Sequence, residues 1–236
     1  MQLFYHPEAH QQAKRLTFSK EESRHIVKVL RKTVGDTLRI TNGKGQFFSV
    51  EITEASQKHC QTRVLEVESQ DPLPYELHLA VAPTKLNDRF EWFLEKATEI
   101  GVHRVTPLLC DHSERTVIKA ARYERVLEAA MKQSLSAYLP TLAPLTPFST
   151  FIEQEQNGLL YIAHCEDRPK LRLMEAIQQE RPQRLIVLIG PEGDFSSAEI
   201  EAAVRHKAIE VDLGKSRLRT ETAAIVACHT ASLALH

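Results

Sequence analysis

Apolar positions change their spacing about a third of the way along the chain. Up to about residue 70, alternation dominates: Leu38 and Ile40 precede the turn Asn42-Gly43-Lys44-Gly45, and Phe48, Val50 and Ile52 follow it. Period two around an Asn-Gly turn predicts a β-hairpin, and Cys60 to Val67 continues as a further strand. The one helical stretch here opens at Ser19-Lys20-Glu21-Glu22, spaced as a capping box, and is predicted to run through Lys32. These features predict a small β-barrel. Gln70-Asp71-Pro72-Leu73-Pro74 then suits neither helix nor central strand and reads as a linker.

Beyond the linker, short apolar runs alternate with segments of helical period. Strands are predicted at Leu77–Ala82, Val105–Cys110, Leu159–Ala163, Arg184–Ile189 and Ile209–Leu213. Helices are predicted at Asp88–Ile100, Arg122–Ala137, Leu171–Glu180, Ala198–His206 and Glu221–Leu235. Asp88 and Glu91 are spaced as a capping box, and Gly101 can supply a left-handed stop. Such alternation predicts a parallel sheet covered on both faces. The expected organisation is residues 1–70 as the barrel and 75–236 as an α/β domain.

In such sheets ligands bind beyond the carboxyl ends of the strands, and two strand ends carry unusual residues. The first is Gly190-Pro191-Glu192-Gly193-Asp194-Phe195-Ser196-Ser197-Ala198-Glu199. Ser196 and Glu199 form a capping box, with Phe195 and Ile200 as a hydrophobic staple. Gly190 and Gly193 let a backbone approach a ligand closely; a well-capped turn without a ligand fits the same residues. The second is Leu213-Gly214-Lys215-Ser216-Arg217-Leu218-Arg219-Thr220-Glu221, with Thr220 as the expected N-cap. The helix after it is apolar on nearly every side, so it is buried or shared with a partner subunit. Gly-Lys-Ser is no phosphate loop, since the earlier glycine would fall at Ile209, and no dinucleotide fingerprint occurs.

Composition narrows this only modestly. The 236 residues carry a formal net charge of −1, so a nucleic-acid ligand requires a local basic surface. Arg24, Lys28 and Arg31 would share a helix face, and Arg115, Lys119, Arg122 and Arg125 form a second group. Solvated helix faces explain either group equally well. Scattered Cys60, Cys110, Cys165 and Cys228 read as reduced, mostly buried thiols of a cytoplasmic protein. There is no membrane-length apolar run and no secretory signal, and His59, His78, His103, His112 and His229 lack metal-ligand spacing.

Gly-Pro-Glu-Gly-x-Phe-Ser at 190–196, followed by Leu-Gly-x-x-x-Leu-Arg-x-Glu-Thr-Ala at 213–223, resembles the ribosomal RNA small-subunit methyltransferase E family. His25-Ile26-Val27-Lys28-Val29-Leu30-Arg31 with Gly35-Asp36 is similar to its N-terminal barrel. Lys85, Arg89, Lys96–Val102, Ser113-Glu114-Arg115 and Glu128–Ser134 are similar to the middle of its catalytic domain. The resemblance spans essentially the whole chain. It implies a PUA-like RNA-binding β-barrel followed by an α/β trefoil-knot (SPOUT) domain, a homodimer, and methylation of uridine N3 in 16S rRNA of the small ribosomal subunit from S-adenosylmethionine (SAM). It places SAM against Leu188, Ile189, Gly190, Glu192, Gly193, Leu213, Gly214, Leu218 and Arg219, with no metal or other cofactor. Arg219 is the expected stabiliser of charge on the uracil carbonyls, and Glu221 or Glu192 the expected proton acceptor. Arg24, Lys28, Arg31, Lys85, Arg89 and Arg115 are the expected RNA contacts. The chain departs from the family pattern at Asp194, where a third glycine is common, and at Ser136, Ser216 and Arg217. Alternative readings are a knotted methyltransferase acting on tRNA or a ribose 2′-hydroxyl, and a non-enzymatic RNA-binding assembly factor.

Overall fold

A computed structural model describes residues 2–154 and 157–236. The chain forms two units, Met1–Pro72 with Met131–Leu139, and Leu73–Ala130 with Pro140–His236. The division falls between two residues of the linker, but nine residues from the middle of the later stretch, 131–139, belong by their contacts with the first unit.

In the first unit, β1 (Leu3–Tyr5) and β2 (Arg15–Thr17) precede helix α1 (Lys20–Arg24), and β3 (Thr37–Thr41), β4 (Gln46–Glu54) and β5 (Gln61–Ser69) follow it. The sheet order is β1-β3-β4-β5-β2, so β1 and β2 are its edges and the expected barrel is a curled half-barrel. The His6 imidazole Nε2 lies 3.1 Å from the Thr17 carbonyl oxygen, linking the two edge strands where no ladder joins them. Alternation along β4 buries Phe48, Val50 and Ile52 against Phe4, Phe18, Ile26 and Ile40. Each such side chain contributes about 1.5–3 kcal/mol relative to exposure.

The helix after Ser19 departs from expectation. α1 ends at Arg24 and the chain widens into a π-helical turn, His25–Val29, with Leu30 N–H donating to the His25 carbonyl at 3.0 Å. Arg31 lies beyond it at φ 55, so the helical spacing that placed Arg24, Lys28 and Arg31 on one face does not hold. Only half of the Ser19 capping box forms. Ser19 Oγ accepts from Glu22 N–H at 3.3 Å, while the Glu22 carboxylate pairs with Lys132 Nζ at 3.3 Å.

The second unit runs β6 (Glu76–Val81), α2 (Asn87–Ile100), β7 (Arg104–Leu109), α3 (Ala120–Gln133), β8 (Thr141–Leu142), β9 (Thr146–Pro147) and α4 (Phe148–Glu153). It continues with β10 (Leu159–Ala163), β11 (Leu171–Arg172), α5 (Leu173–Glu180), β12 (Arg184–Ile189), α6 (Ser197–Arg205), β13 (Ile209–Asp212) and α7 (Thr220–Leu235). The parallel sheet has the order β11-β13-β10-β12-β6-β7-β8, with β9 beside β7. Central β12 is buried from Leu185 to Ile189, as an apolar run covered on both faces requires. Ile186 and Leu188 point to the cluster made by α4 and α6, with Phe148, Phe151, Ile200 and Ala203. On the other face α7 packs against α2, α5, β6 and β12.

Two helix boundaries also differ. α2 begins at Asn87 without a side-chain cap, because Glu91 is engaged by Asn87 and Arg122 instead of closing a box with Asp88. α3 stops at Gln133, and Leu135 turns the chain at φ 57 before Ala137 is reached. Gly101, at φ 120, caps α2 as its position predicts. Three of the cysteines, Cys60, Cys110 and Cys228, are buried free thiols, whereas Cys165 is exposed.

Candidate functional site

A cavity of about 290 Å³ opens where β10, β12 and the loop before α7 end together. β10 and β12 run parallel in register to Ala163 and Ile189, so both strands leave the sheet at its carboxyl edge. The cavity is lined by Ile189, Gly190, Pro191, Glu192 and Asp194 from one strand end and by Arg217, Leu218, Arg219, Thr220 and Ala223 from the other. Ala163 and Cys165 complete the wall. Apolar side chains and backbone make most of the lining, and four charged residues, Glu192, Asp194, Arg217 and Arg219, join it.

Of the residues expected to hold the cofactor, Ile189, Gly190, Glu192, Leu218 and Arg219 meet here. Leu188 points into the core instead, Gly193 is turned toward His112, and Leu213 and Gly214 lie outside the lining. The two glycines of the first loop serve internal packing. A Cβ on Gly190 would stand 3.0 Å from Phe195 N, and one on Gly193 3.0 Å from His112 Cβ. Their small size is used by neighbouring protein atoms, which sequence spacing cannot distinguish from use by a ligand.

The loop is held from several sides. Ser196 and Glu199 form the expected reciprocal capping box, with Ser196 Oγ accepting from Glu199 N–H at 3.3 Å and Glu199 Oε2 accepting from Ser196 N–H at 2.9 Å. Phe195 and Ile200, the expected staple, are both buried in one cluster. Glu199 Oε1 also accepts from Asp111 N–H at 3.0 Å, and Ser196 Oγ lies 2.6 Å from Asp111 Oδ2. His112 Nδ1 sits 3.1 Å from the Gly193 carbonyl and 3.0 Å from that of Asp194. Asp111 and His112 were not legible as site residues, since they belong to a different strand end.

Thr220 does not cap α7. It is the first residue of that helix, and its hydroxyl donates to the Gly190 carbonyl at 3.1 Å. Glu221 follows, buried to 6% exposure, with Oε1 3.7 Å from Arg89 Nε. Its Oε2 has no hydrogen-bond partner among the described residues. Glu192 is exposed, and its Oε1 accepts from Lys85 N–H at 2.9 Å. Arg219 is exposed at the cavity rim.

Three expected RNA contacts also gather here. Arg115 donates to the carbonyls of Thr84 and Lys85 at 2.9 and 2.6 Å, so its guanidinium braces the loop between β6 and α2. Lys85 Nζ pairs with Glu114 at 2.7 Å on the surface, and Arg89 faces Glu221. In the first unit, Arg24, Lys28 and Arg31 are all exposed. The second basic group disperses, since Arg122 is held by Glu91 and Arg115 by backbone carbonyls.

The family model of an RNA methyltransferase domain matches residues 71–232, and that of an RNA methyltransferase PUA domain matches residues 18–65. The chain belongs to this RNA methyltransferase family. Its fold class is therefore an N-terminal PUA-like half-barrel followed by an α/β domain of the SPOUT, or knot, class. The probable rRNA-methyltransferase from Porphyromonas gingivalis has 40% sequence identity to this RNA methyltransferase, a TM-score of 0.87 and full coverage of both chains. A methyltransferase from Legionella pneumophila, solved with bound SAM, has 27% identity and a TM-score of 0.85 over 98% of this chain and 97% of that one. The ribosomal RNA small subunit methyltransferase E of Synechocystis is 29% identical, covering 90% of this chain and 71% of the relative.

Proposed function

We propose that this RNA methyltransferase transfers a methyl group from SAM to N3 of a uridine in 16S rRNA of the small ribosomal subunit. The reading rests on the apolar, backbone-lined cavity at the joined ends of β12 and α7, in a chain whose relatives include one solved with SAM and others named for the small-subunit RNA. Ile189, Pro191, Leu218 and Ala223 fit the faces of an adenosyl group, and the peptide groups of 189–192 and 218–219 fit its polar edges. Bound SAM supplies an electrophilic methyl on a sulfonium.

The chain's own residues then divide the remaining work. The neutral imide nitrogen is a poor nucleophile, so its proton must leave before or during attack. Glu221 is the proton acceptor, favoured over Glu192 because its buried carboxylate keeps one oxygen uncommitted while that of Glu192 is exposed and receives Lys85 N–H. Arg219, at the rim, stabilises negative charge growing on the uracil carbonyls. Arg24, Lys28, Arg31 and Lys85 hold RNA phosphates, positioning the RNA without reading its sequence. Arg89 and Arg115 act from inside the protein, on Glu221 and on the 84–85 loop. The enzyme works in the cytoplasm as a homodimer; support comes from α7, where Leu233 is 60% exposed, and from Trp92 on the adjoining α2, which is 47% exposed.

The deciding experiment is methylation of unmodified small subunits with labelled SAM, followed by mass analysis of the nucleosides. N3-methyluridine is the expected product. A 2′-O-methyl product, or methylation of added tRNA in place of the subunit, would replace the substrate, and absence of both product and SAM binding would leave an RNA-binding assembly factor. Arg219→Ala is expected to bind SAM normally and methylate poorly; full activity would remove Arg219 from the mechanism.

A further inference from the structure

After Ala163 and Ile189 the parallel ladder between β10 and β12 stops, and side-chain bonds take over, the nearest to the cavity made by Asp194. Asp194 Oδ2 accepts from Cys165 N–H at 2.7 Å, and Oδ1 accepts from Phe195 N–H at 2.8 Å. Asp194 stands at φ 67, a left-handed conformation that aspartate tolerates better than most residues, and its own N–H closes a turn on the Pro191 carbonyl at 2.9 Å. The carboxylate thus spans the gap between two neighbouring strand ends. Both residues it joins across that gap, Asp194 and Cys165, line the cavity.

The fold has other means of holding these segments. The start of α6 carries its own capping box. Glu166 Oε1 accepts from Ser197 Oγ at 2.6 Å, and Lys170 Nζ donates to the His164 carbonyl at 3.1 Å. The Glu166–Ser197 bond ties the segment after β10 to the start of α6, whereas the loop residue that lines the cavity, Asp194, is held to the end of β10 through its own carboxylate on Cys165 N–H.

We infer that Asp194 is a positioning residue that preforms the cofactor cavity, its carboxylate clamping the end of β10 to the loop after β12. The inference rests on the SAM reading of this cavity. Preorganisation of this kind raises affinity by removing the ordering cost from the binding step. Asp194→Gly keeps the left-handed backbone and removes the clamp, whereas Asp194→Asn keeps one accepting oxygen.

Two readouts on the full chain test it. Calorimetry with SAM is expected to show Asp194→Gly binding at least about tenfold more weakly, as loss of a charge-assisted hydrogen bond implies, with Asp194→Asn intermediate and both variants still folded at the temperature of the titration. Reaction of the thiols with a disulfide reagent reports the clamp without SAM, because Cys165 is the one exposed cysteine. Burial and, after it, the Asp194 charge raise the Cys165 thiol above its ordinary range, so loss of the charge alone speeds labelling in both variants, and the clamp is reported by labelling in Asp194→Gly that is several times faster than in Asp194→Asn. Wild-type affinity in Asp194→Gly, or labelling no faster than in Asp194→Asn, would overturn the inference, as would an affinity loss traced to a chain partly unfolded at the temperature of the titration. A wild-type chain that ignores SAM, with labelling still faster in Asp194→Gly than in Asp194→Asn, would overturn the cofactor reading and leave the clamp standing.

Discussion

The Thr220 hydroxyl donates to the Gly190 carbonyl across 3.1 Å, joining the first residue of α7 to the residue that follows β12. The bond is buried, and it ties together the two loops that face each other across the cavity. One hydroxyl therefore fixes the separation of two segments that are thirty residues apart.

Replacing Thr220 by valine keeps the shape and removes the bond. A stability loss of about 1 kcal/mol is expected, more if the Gly190 carbonyl is left unsatisfied, together with weaker SAM binding. Thr220→Ser should restore both. Urea unfolding and calorimetry on the same samples check this, and unchanged SAM affinity in Thr220→Val would separate the bond from the cavity.

Arg89 faces buried Glu221 at 3.7 Å. Removing one partner of such a pair leaves a buried carboxylate without its counter-charge. Arg89→Ala is expected to lower kcat for methyl transfer at least about tenfold and to leave RNA affinity nearly intact. The opposite pattern, weak RNA binding with normal kcat, would return Arg89 to the phosphate contacts.

Stability should fall on mild acidification. Burial, and to a smaller degree Arg104, hold the His78 imidazole down to about 4, while burial also lowers His103 and His164. An unfolded histidine protonates near pH 6.5, so the unfolded chain binds more protons between about pH 6.5 and pH 4. The contribution of neutral His78 is complete above that window and is lost as pH falls through it, on the order of 3 kcal/mol. Urea midpoints measured across this range should drop more steeply for the wild type than for His78→Gln.

Arg24, Lys28 and Arg31 are exposed, but the π turn and the left-handed Arg31 separate them from a common helical stripe. Changing all three to glutamate should weaken RNA binding and lower the log–log salt slope by about 2, because each contact releases counterions whatever its spacing. An unaltered slope would mark them as ordinary surface charge.

Much of the α/β unit was legible because local signals there coincide with tertiary demands. The apolar run 184–189 had to be a strand buried on both faces, and the Ser196/Glu199 box had to start a helix. The site was legible only in part. Two strand ends announce themselves through unusual residues, but Cys165 contributes because β10 lies next to β12, and alternation of elements carries no strand order. Thr220 has the composition of an N-cap, and only the position of Gly190 shows that its hydroxyl is spent elsewhere. The π turn was hidden for a similar reason: one residue gained within a helix leaves the apolar pattern almost unchanged while rotating everything after it.

Segment 131–139 completes the half-barrel from far along the chain. The Ala137 carbonyl accepts from Gly45 N–H at 2.8 Å and from Thr41 Oγ1 at 3.3 Å, and Tyr138 Oη donates to the Gln70 carbonyl at 2.9 Å. Leu3 and Phe47 bury themselves against Ala137. The PUA-like half-barrel is thus discontinuous in the gene. A graft of residues 1–72 onto another enzyme would carry an open seam at its Gly43–Gly45 turn, and recombination that moved the module intact would have to bring two separate stretches of coding sequence.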